Sequence, residues 1–179
     1  MPNPSAAVAE EVQRLSCLEL RGGNHYATYA AELPGLEGWV CCRPLRPSAK
    51  GGDLYYLSVC SKGTISRITL ADVAGHGEAV SKAATRLREA LRLHADHWDQ
   101  SVLIRHLNDT FLKGGESALE YATAFLISYY GQTGELLFTN AGHPPPLWYK
   151  AVRQEWEFLR ETTPWSRSLT NLPLGIISG

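Results

Sequence analysis

No apolar run in this chain is long enough to span a bilayer. The longest, residues 121–130, is interrupted by Thr123 and Ser128 and has the length of a strand. Charge of one sign is also lacking: 17 Lys and Arg against 18 Asp and Glu give a net charge of −1. That removes the electrostatic footprint expected of a nucleic-acid or anionic-membrane binder. The four cysteines, Cys17, Cys41, Cys42 and Cys60, show no CxxC spacing, and the adjacent Cys41 and Cys42 suit a disulfide poorly. Three of the four lie in apolar stretches, so they read as small core residues in a reduced compartment. The opening MPNPSAAVAEEVQRL lacks a basic stretch followed by an apolar core, which is the pattern of a secretory leader. It reads instead as a tail and a short helix over about residues 6–15, and the expected location is the cytoplasm.

What is present fits one soluble domain. The 179 residues can bury a substantial core, and 44% hydrophobic with 20% charged residues is ordinary for a globular chain. EGWVCCR (37–43), DLYYLSVC (53–60) and TISRITLAD (64–72) read as strands, the last two joined by the turn Ser61-Lys62-Gly63. LRPSAKGG (45–52) reads as a loop. Over 78–97 the residues Val80, Ala83, Ala84, Leu87, Ala90, Leu91 and His94 recur at helical spacing, with Lys82, Arg86 and Glu89 on another face. A second helix is predicted over 101–113, with Leu103, Leu107 and Phe111 four apart and Asp99 or Ser101 as cap. YATAFLISYY and ELLFTN flank the turn 131–134, and PLWYK and WEFLR are further strand candidates. Strands, two helices and strands again predict an α+β fold with largely antiparallel sheets.

The stretch LADVAGHGEAV (70–80) raises a chemical question, because a strand-to-helix turn needs glycine but not an aspartate at the strand's end. A three-residue turn at 61–63 pairs Cys60 with Thr64 and sets Asp53 against Ala71. The apolar phase of the second strand shifts between Ile65 and Ile68, and a bulge near Ser66-Arg67 would restore one buried face. That extra residue brings Asp53 opposite Asp72. Two facing carboxylates repel unless a cation lies between them, and a hard divalent ion such as Mg²⁺ or Mn²⁺ suits oxygen donors. Gly51-Gly52 and Gly75-His76-Gly77 bring open backbone to the same place. The alternative is a pair of solvated loop-edge aspartates, with Asp72 capping the turn.

Five segments in order, GGDLYYL (51–57), ADVAGHGEAV (71–80), YATAFL (121–126), TNAGHPPPLWY (139–149) and LPLGI (172–176), resemble the SpoIIE-like branch of the PPM phosphatases. These are bacterial metal-dependent protein serine/threonine phosphatases. The resemblance implies a domain over 21–179, after a tail at 1–20, folded as a four-layer α-β-β-α sandwich of two antiparallel sheets with flanking helices. It implies a two-metal Mn²⁺/Mg²⁺ centre whose bridging water attacks a phosphoserine or phosphothreonine. Asp53, Asp72 and the backbone carbonyl of Val73 would be metal ligands, and Gly52, Gly75, Gly77 and His143 would shape the site. The implied partner is a phosphorylated regulatory protein such as an anti-sigma-factor antagonist. The chain departs from the family pattern in having Tyr56 where a second acidic residue often follows GGD. It also contains none of the TDG-type and final aspartates that complete the centre. We therefore expect a domain that is incomplete at its C-terminal side, and a homo-oligomer or unstable chain through exposed sheet. A pseudo-phosphatase that binds a phosphoprotein without turning it over is the rival reading.

No side chain is assigned as the catalytic group. In related eukaryotic phosphatases a histidine lies two positions after the metal-binding aspartate, where this chain has Ala74. His76, four positions after it, is read as shaping the turn rather than as a general acid. His143 is read as fixing its loop, which Pro144, Pro145 and Pro146 stiffen. GHGEAVSK lacks P-loop spacing. Arg86, Arg88 and Arg92 read as a solvated helix face, and Trp148, Trp156 and Trp165 as core or sheet packing.

Overall fold

A computed structural model describes residues 12–60, 63–75, 78–97, 99–114, 120–160 and 172–177. Its strands are β1 (Val12–Arg14), β2 (Leu20–His25), β3 (Ala27–Leu33), β4 (Leu36–Cys42), β5 (Lys50–Val59) and β6 (Ile65–Val73). Helices α1 (Glu78–Leu93) and α2 (Gln100–Gly114) follow, then β7 (Ala122–Tyr130), β8 (Glu135–Ala141), β9 (Leu147–Lys150) and β10 (Glu155–Phe158). A five-stranded antiparallel sheet runs in the order β2-β5-β6-β7-β8, a three-stranded sheet in the order β1-β3-β4, and β9 pairs with β10 alone.

Strand β5 shows why the layers stack as they do. Every residue from Leu54 to Val59 is buried, so both faces of the strand are covered. Leu54 and Tyr56 join one core with the α1 stripe Val80, Ala83, Ala84, Leu87, Ala90 and Leu91 and the α2 stripe Leu103, Leu107 and Phe111. Tyr55, Leu57 and Val59 face the other way, onto Tyr29, Ala31 and Leu33 of β3. The helices therefore lie on one side of the large sheet and the small sheet on the other. Each fully buried leucine of the stripes contributes roughly 1.5–3 kcal/mol. Among the described residues no helix covers the outer face of the small sheet, where Trp39 is 47% exposed.

The predicted α1 stripe is buried except at His94, and the helix ends at Leu93 rather than at 97. Arg67 explains the stop. Its guanidinium, 2% exposed, donates to the carbonyls of Ala95 (3.1 Å) and His97 (2.7 Å) and to Ser128 Oγ (3.1 Å). Those carbonyls are drawn inward, and His97 N–H turns back onto His94 O at 3.1 Å. Asp99 is the α2 cap: its Oδ1 accepts from Ser101 N–H at 2.8 Å and its carbonyl from Leu103 N–H at 3.2 Å.

Three expectations are corrected. Residues 12–14 are strand, not helix: β1 pairs in parallel with the edge of β3, Val12 opposite Ala30, which gives its backbone partners that a short isolated helix would lack. Leu15, also in that predicted helix, is buried but not helical, and residues 6–11 lie outside the described residues. The cysteines are not uniformly core, since only Cys60 is buried while Cys17 and Cys41 are exposed; no disulfide joins any of them. Arg86 is not simply solvated, because it pairs with the half-buried Glu120. Of the two placements expected for Trp156, core or sheet, the structure shows the second: it is 67% exposed on β10 and packs on its cross-strand partner Tyr149, ring centres 5.0 Å apart. Trp165 lies outside the described residues.

Candidate metal and phosphate site

The site forms where β5 begins and β6 ends. The register sets Asp53 opposite Asp72, and Asp72 opposite Thr123 of β7, so one row crosses three strands on a single face of the sheet. No bulge is needed. The pairing runs unbroken from Val59 opposite Ser66 to Asp53 opposite Asp72, and Cys60 N–H bonds Ile65 O at 3.0 Å. The connection is thus one residue longer than the predicted turn. The phase shift in β6 has a different cause: Ile65, Ser66 and Arg67 are all buried because this end of the strand is covered on both faces.

Both aspartates are exposed to a cleft of about 840 Å³ that Gly52, Val73, Arg43 and Lys50 also line. A smaller cavity of about 260 Å³ adjoins it, bounded by Arg43, Asp53, Asp72, Cys42 and His143. Partial burial, followed by the charge of Asp53, raises the Asp72 carboxyl above its ordinary range, and His143 opposes the shift. Burial lowers the His143 imidazole even though both carboxylates pull the other way. The thiol of Cys42 is pushed up by burial first and by Asp53 second.

The glycines keep this corner open. A Cβ on Gly52 would lie 2.9 Å from Val73 O and 3.6 Å from Asp72 Oδ1, so only glycine lets the two strand ends leave that space. Gly75 has φ +114°, a conformation that L side chains rarely adopt, and it starts the turn towards α1. His76 and Gly77 lie outside the described residues. His143 is held from two sides: its Nδ1 is 2.9 Å from Thr123 Oγ1, and Asn140 brackets its backbone. Asn140 Nδ2 donates to His143 O and His143 N–H to Asn140 Oδ1, both at 2.8 Å. The donors at the corner are two carboxylates and a backbone carbonyl, hard oxygens of the kind that Mg²⁺ and Mn²⁺ prefer, so the residues fit such an ion.

Four contributors escaped the sequence reading. Asn24, 3% exposed, donates to Gly51 O at 2.9 Å and holds the start of β5. Thr123 and Asn140 position His143, and both sat inside quoted motifs whose Asn-x-x-His spacing could have been read as a side-chain-to-backbone turn. Arg43 lines both cavities, and nothing in its local sequence marks it. Tyr56, at the position where the family pattern often has an acid, faces the helices and is buried in that core. The LPLGI segment closes on β7: Leu174 and Ala122 exchange backbone hydrogen bonds of 2.8 and 3.1 Å.

Comparison with known proteins bears on the fold. The RsbU and RsbW domains of Rv1364c from Mycobacterium tuberculosis superpose with a TM-score of 0.63 at 23% identity, over 93% of this chain and 41% of that one. The PP2C phosphatase domain, with a fragment of the regulatory domain, of the cell fate determinant SpoIIE from Bacillus subtilis superposes with a TM-score of 0.51 at 16% identity. That match covers 88% of this chain and 39% of the other. The chain thus spans about two fifths of each of these solved structures, and at such identities the likeness shows a shared α+β phosphatase fold. No curated protein sequence matches it. The profile of Stage II sporulation protein E (SpoIIE) matches residues 63–178, more than half of the chain, and the chain belongs to that family.

Proposed function

We propose that this chain carries the phosphatase site of a metal-dependent protein serine/threonine phosphatase of the PPM type. The observation that carries the reading is the in-register opposition of Asp53 and Asp72 beside the Val73 carbonyl, at a corner that Gly52 keeps open. Asp53, Asp72 and Val73 O would hold Mn²⁺ or Mg²⁺, with a two-metal centre expected of the complete domain. When bound, such ions polarise a phosphoryl oxygen and make water a nucleophile at neutral pH.

The chain's own residues would do the rest. Asp53 and Asp72 offer negative charge whose mutual repulsion the cation relieves. Arg43, at the junction of the two cavities, is suited to hold phosphoryl oxygens by charge-assisted hydrogen bonds. Thr123 and Asn140 keep His143 fixed beside the carboxylates, where burial favours its neutral form. Phosphoserine or phosphothreonine on a regulatory protein is the substrate class, with an anti-sigma-factor antagonist as its type, and the cytoplasm is the setting. The matched Mycobacterium tuberculosis structure, which contains both RsbU and RsbW domains, supports a regulatory partner of that kind. No helix among the described residues is long and apolar enough to cross a membrane.

A second reading rests on a specific observation: among the described residues lining the two cavities, Asp53 and Asp72 are the only carboxylates. Two carboxylates alone would suit a module that binds a phosphoprotein without hydrolysing it. Mn²⁺-dependent hydrolysis of a phosphoserine peptide and of an aryl phosphate by residues 1–179 separates the readings. Activity lost in both Asp53→Asn and Asp72→Asn supports the enzyme. Peptide binding without turnover supports the module.

A further inference from the structure

Three imidazoles meet on the helix side of the molecule, away from the carboxylate pair. His94 and His97 lie in the turn that ends α1, and His106 lies in the second turn of α2. The rings of His94 and His106 stack at 4.0 Å between centres with planes 4° apart, and His97 lies 5.3 Å from each. One ring nitrogen from each residue falls within 4.8 Å of the other two. We propose that His94, His97 and His106 bind a borderline transition-metal dication, for which Zn²⁺ is the matching probe, and that the ion ties the end of α1 to α2.

The local structure is built to hold that arrangement. The bond from His97 N–H to His94 O returns the chain on itself, so residues three apart present their rings on one side. From beneath, buried Arg67 fixes the carbonyls of Ala95 and His97, which leaves the turn little freedom to separate them. On the other element, the Asp99 cap fixes where α2 starts and hence where His106 stands. Tetrahedral zinc with Zn–N bonds of about 2.0–2.1 Å needs nitrogens roughly 3.3 Å apart. Each nitrogen's lone pair lies in its own ring plane, so binding requires His94 and His106 to leave their parallel stack and turn their edges towards one point. Three histidines match the protein ligand count of an open zinc site, with the fourth position left to water.

The chemistry separates this site from the carboxylate corner. Three nitrogen donors with no carboxylate among them select Zn²⁺, Ni²⁺ or Cu²⁺ over Mg²⁺, whereas Asp53 and Asp72 offer hard oxygens. Burial, with the neighbouring His106 and His97, lowers the His94 imidazole, and the neutral ring is the ligating form. The sites are also far apart. Arg67, beneath the histidines, and Asp72 occupy opposite faces of β6 and are separated by about 17 Å of strand. One ion cannot serve both.

The test is calorimetric titration of Zn²⁺ into the untagged, chelator-stripped full chain carrying Asp53→Asn and Asp72→Asn, which silences the carboxylate corner, with the thiols of the four cysteines blocked by alkylation. One Zn²⁺ per chain is expected. Adding His97→Ala or His106→Ala should weaken it by more than the roughly 10–100-fold that changes outside the ligand set cost. Melting in chelator checks that each variant folds. Should one not fold, imidazole ¹⁵N shifts of His94, His97 and His106 in the parent on adding one equivalent of Zn²⁺ give the same answer without mutation. No Zn²⁺ bound by the carboxylate variant, equal binding in both histidine variants, or three unmoved imidazoles would overturn the site and leave only a stack of rings.

Discussion

Asp53 of β5 and Asp72 of β6 are direct cross-strand partners, so their carboxylates leave the same face of the sheet at the same level. Without a cation that proximity is a cost: burial and the Asp53 charge raise the Asp72 carboxyl. In chelator, Asp72→Asn should therefore melt at or above the temperature of the parent chain. Mn²⁺ at a hundredfold excess over its Kd should raise the parent by about 5–10 °C and leave the variant unmoved. Differential scanning fluorimetry with and without the ion measures both halves. A variant that melts clearly lower in chelator would show that the carboxylate is stabilising the fold by itself.

Asn140 makes two hydrogen bonds to the backbone of His143. Asn140→Ala should cost roughly 1–3 kcal/mol in urea unfolding. The variant should also disturb the His143 ring resonances, because among the described residues only Thr123 then orients the ring.

Arg67 is a buried cation that, among the described residues, acts through three neutral acceptors rather than an ion pair. Arg67→Met keeps much of the volume but strands Ser128 Oγ and two carbonyls. A loss of roughly 2–4 kcal/mol is expected. Hydrogen exchange should report faster opening at 94–97 than elsewhere in α1.

Tyr56 gives a pH prediction. Burial pushes its phenol from 10.0 up to about 12, and its hydroxyl has no hydrogen-bond partner among the described residues. A folded pKa above the unfolded one means that the native state holds the proton more tightly. Its contribution to stability is whole below about pH 10 and is lost as the pH rises to about 12. Tyr56→Phe should be neutral or stabilising by about 1 kcal/mol at pH 7, and its stability should fall less than that of the parent between pH 10 and 12. A marked destabilisation at pH 7 would reveal a hydrogen bond to that hydroxyl.

Long periodic patterns made the two helices legible, and the glycine-aspartate segments made the carboxylate pair legible. The pairing itself was read correctly by a wrong route: a bulge was inferred from lost alternation, whereas β6 loses alternation because both its faces are covered. Strands β2 and β3 were missed, since LRGGNH and ATYAAEL carry glycine and alanine where a strand pattern needs bulk. The end of α1 was misplaced for a non-local reason, because the group that ends it comes from β6. The histidine cluster was invisible for the same kind of reason: His94 and His97 meet His106 only when α2 folds back along α1.

Mn²⁺ binding followed by electron paramagnetic resonance tests the central claim most directly. Titrated into the untagged chain, Mn²⁺ should lose its free-ion signal as at least one ion binds per chain. That binding should disappear in Asp53→Asn and in Asp72→Asn while persisting in His97→Ala. Retention of Mn²⁺ by both aspartate variants, or no binding by the parent chain, would contradict the assignment of this corner as a hard-metal site.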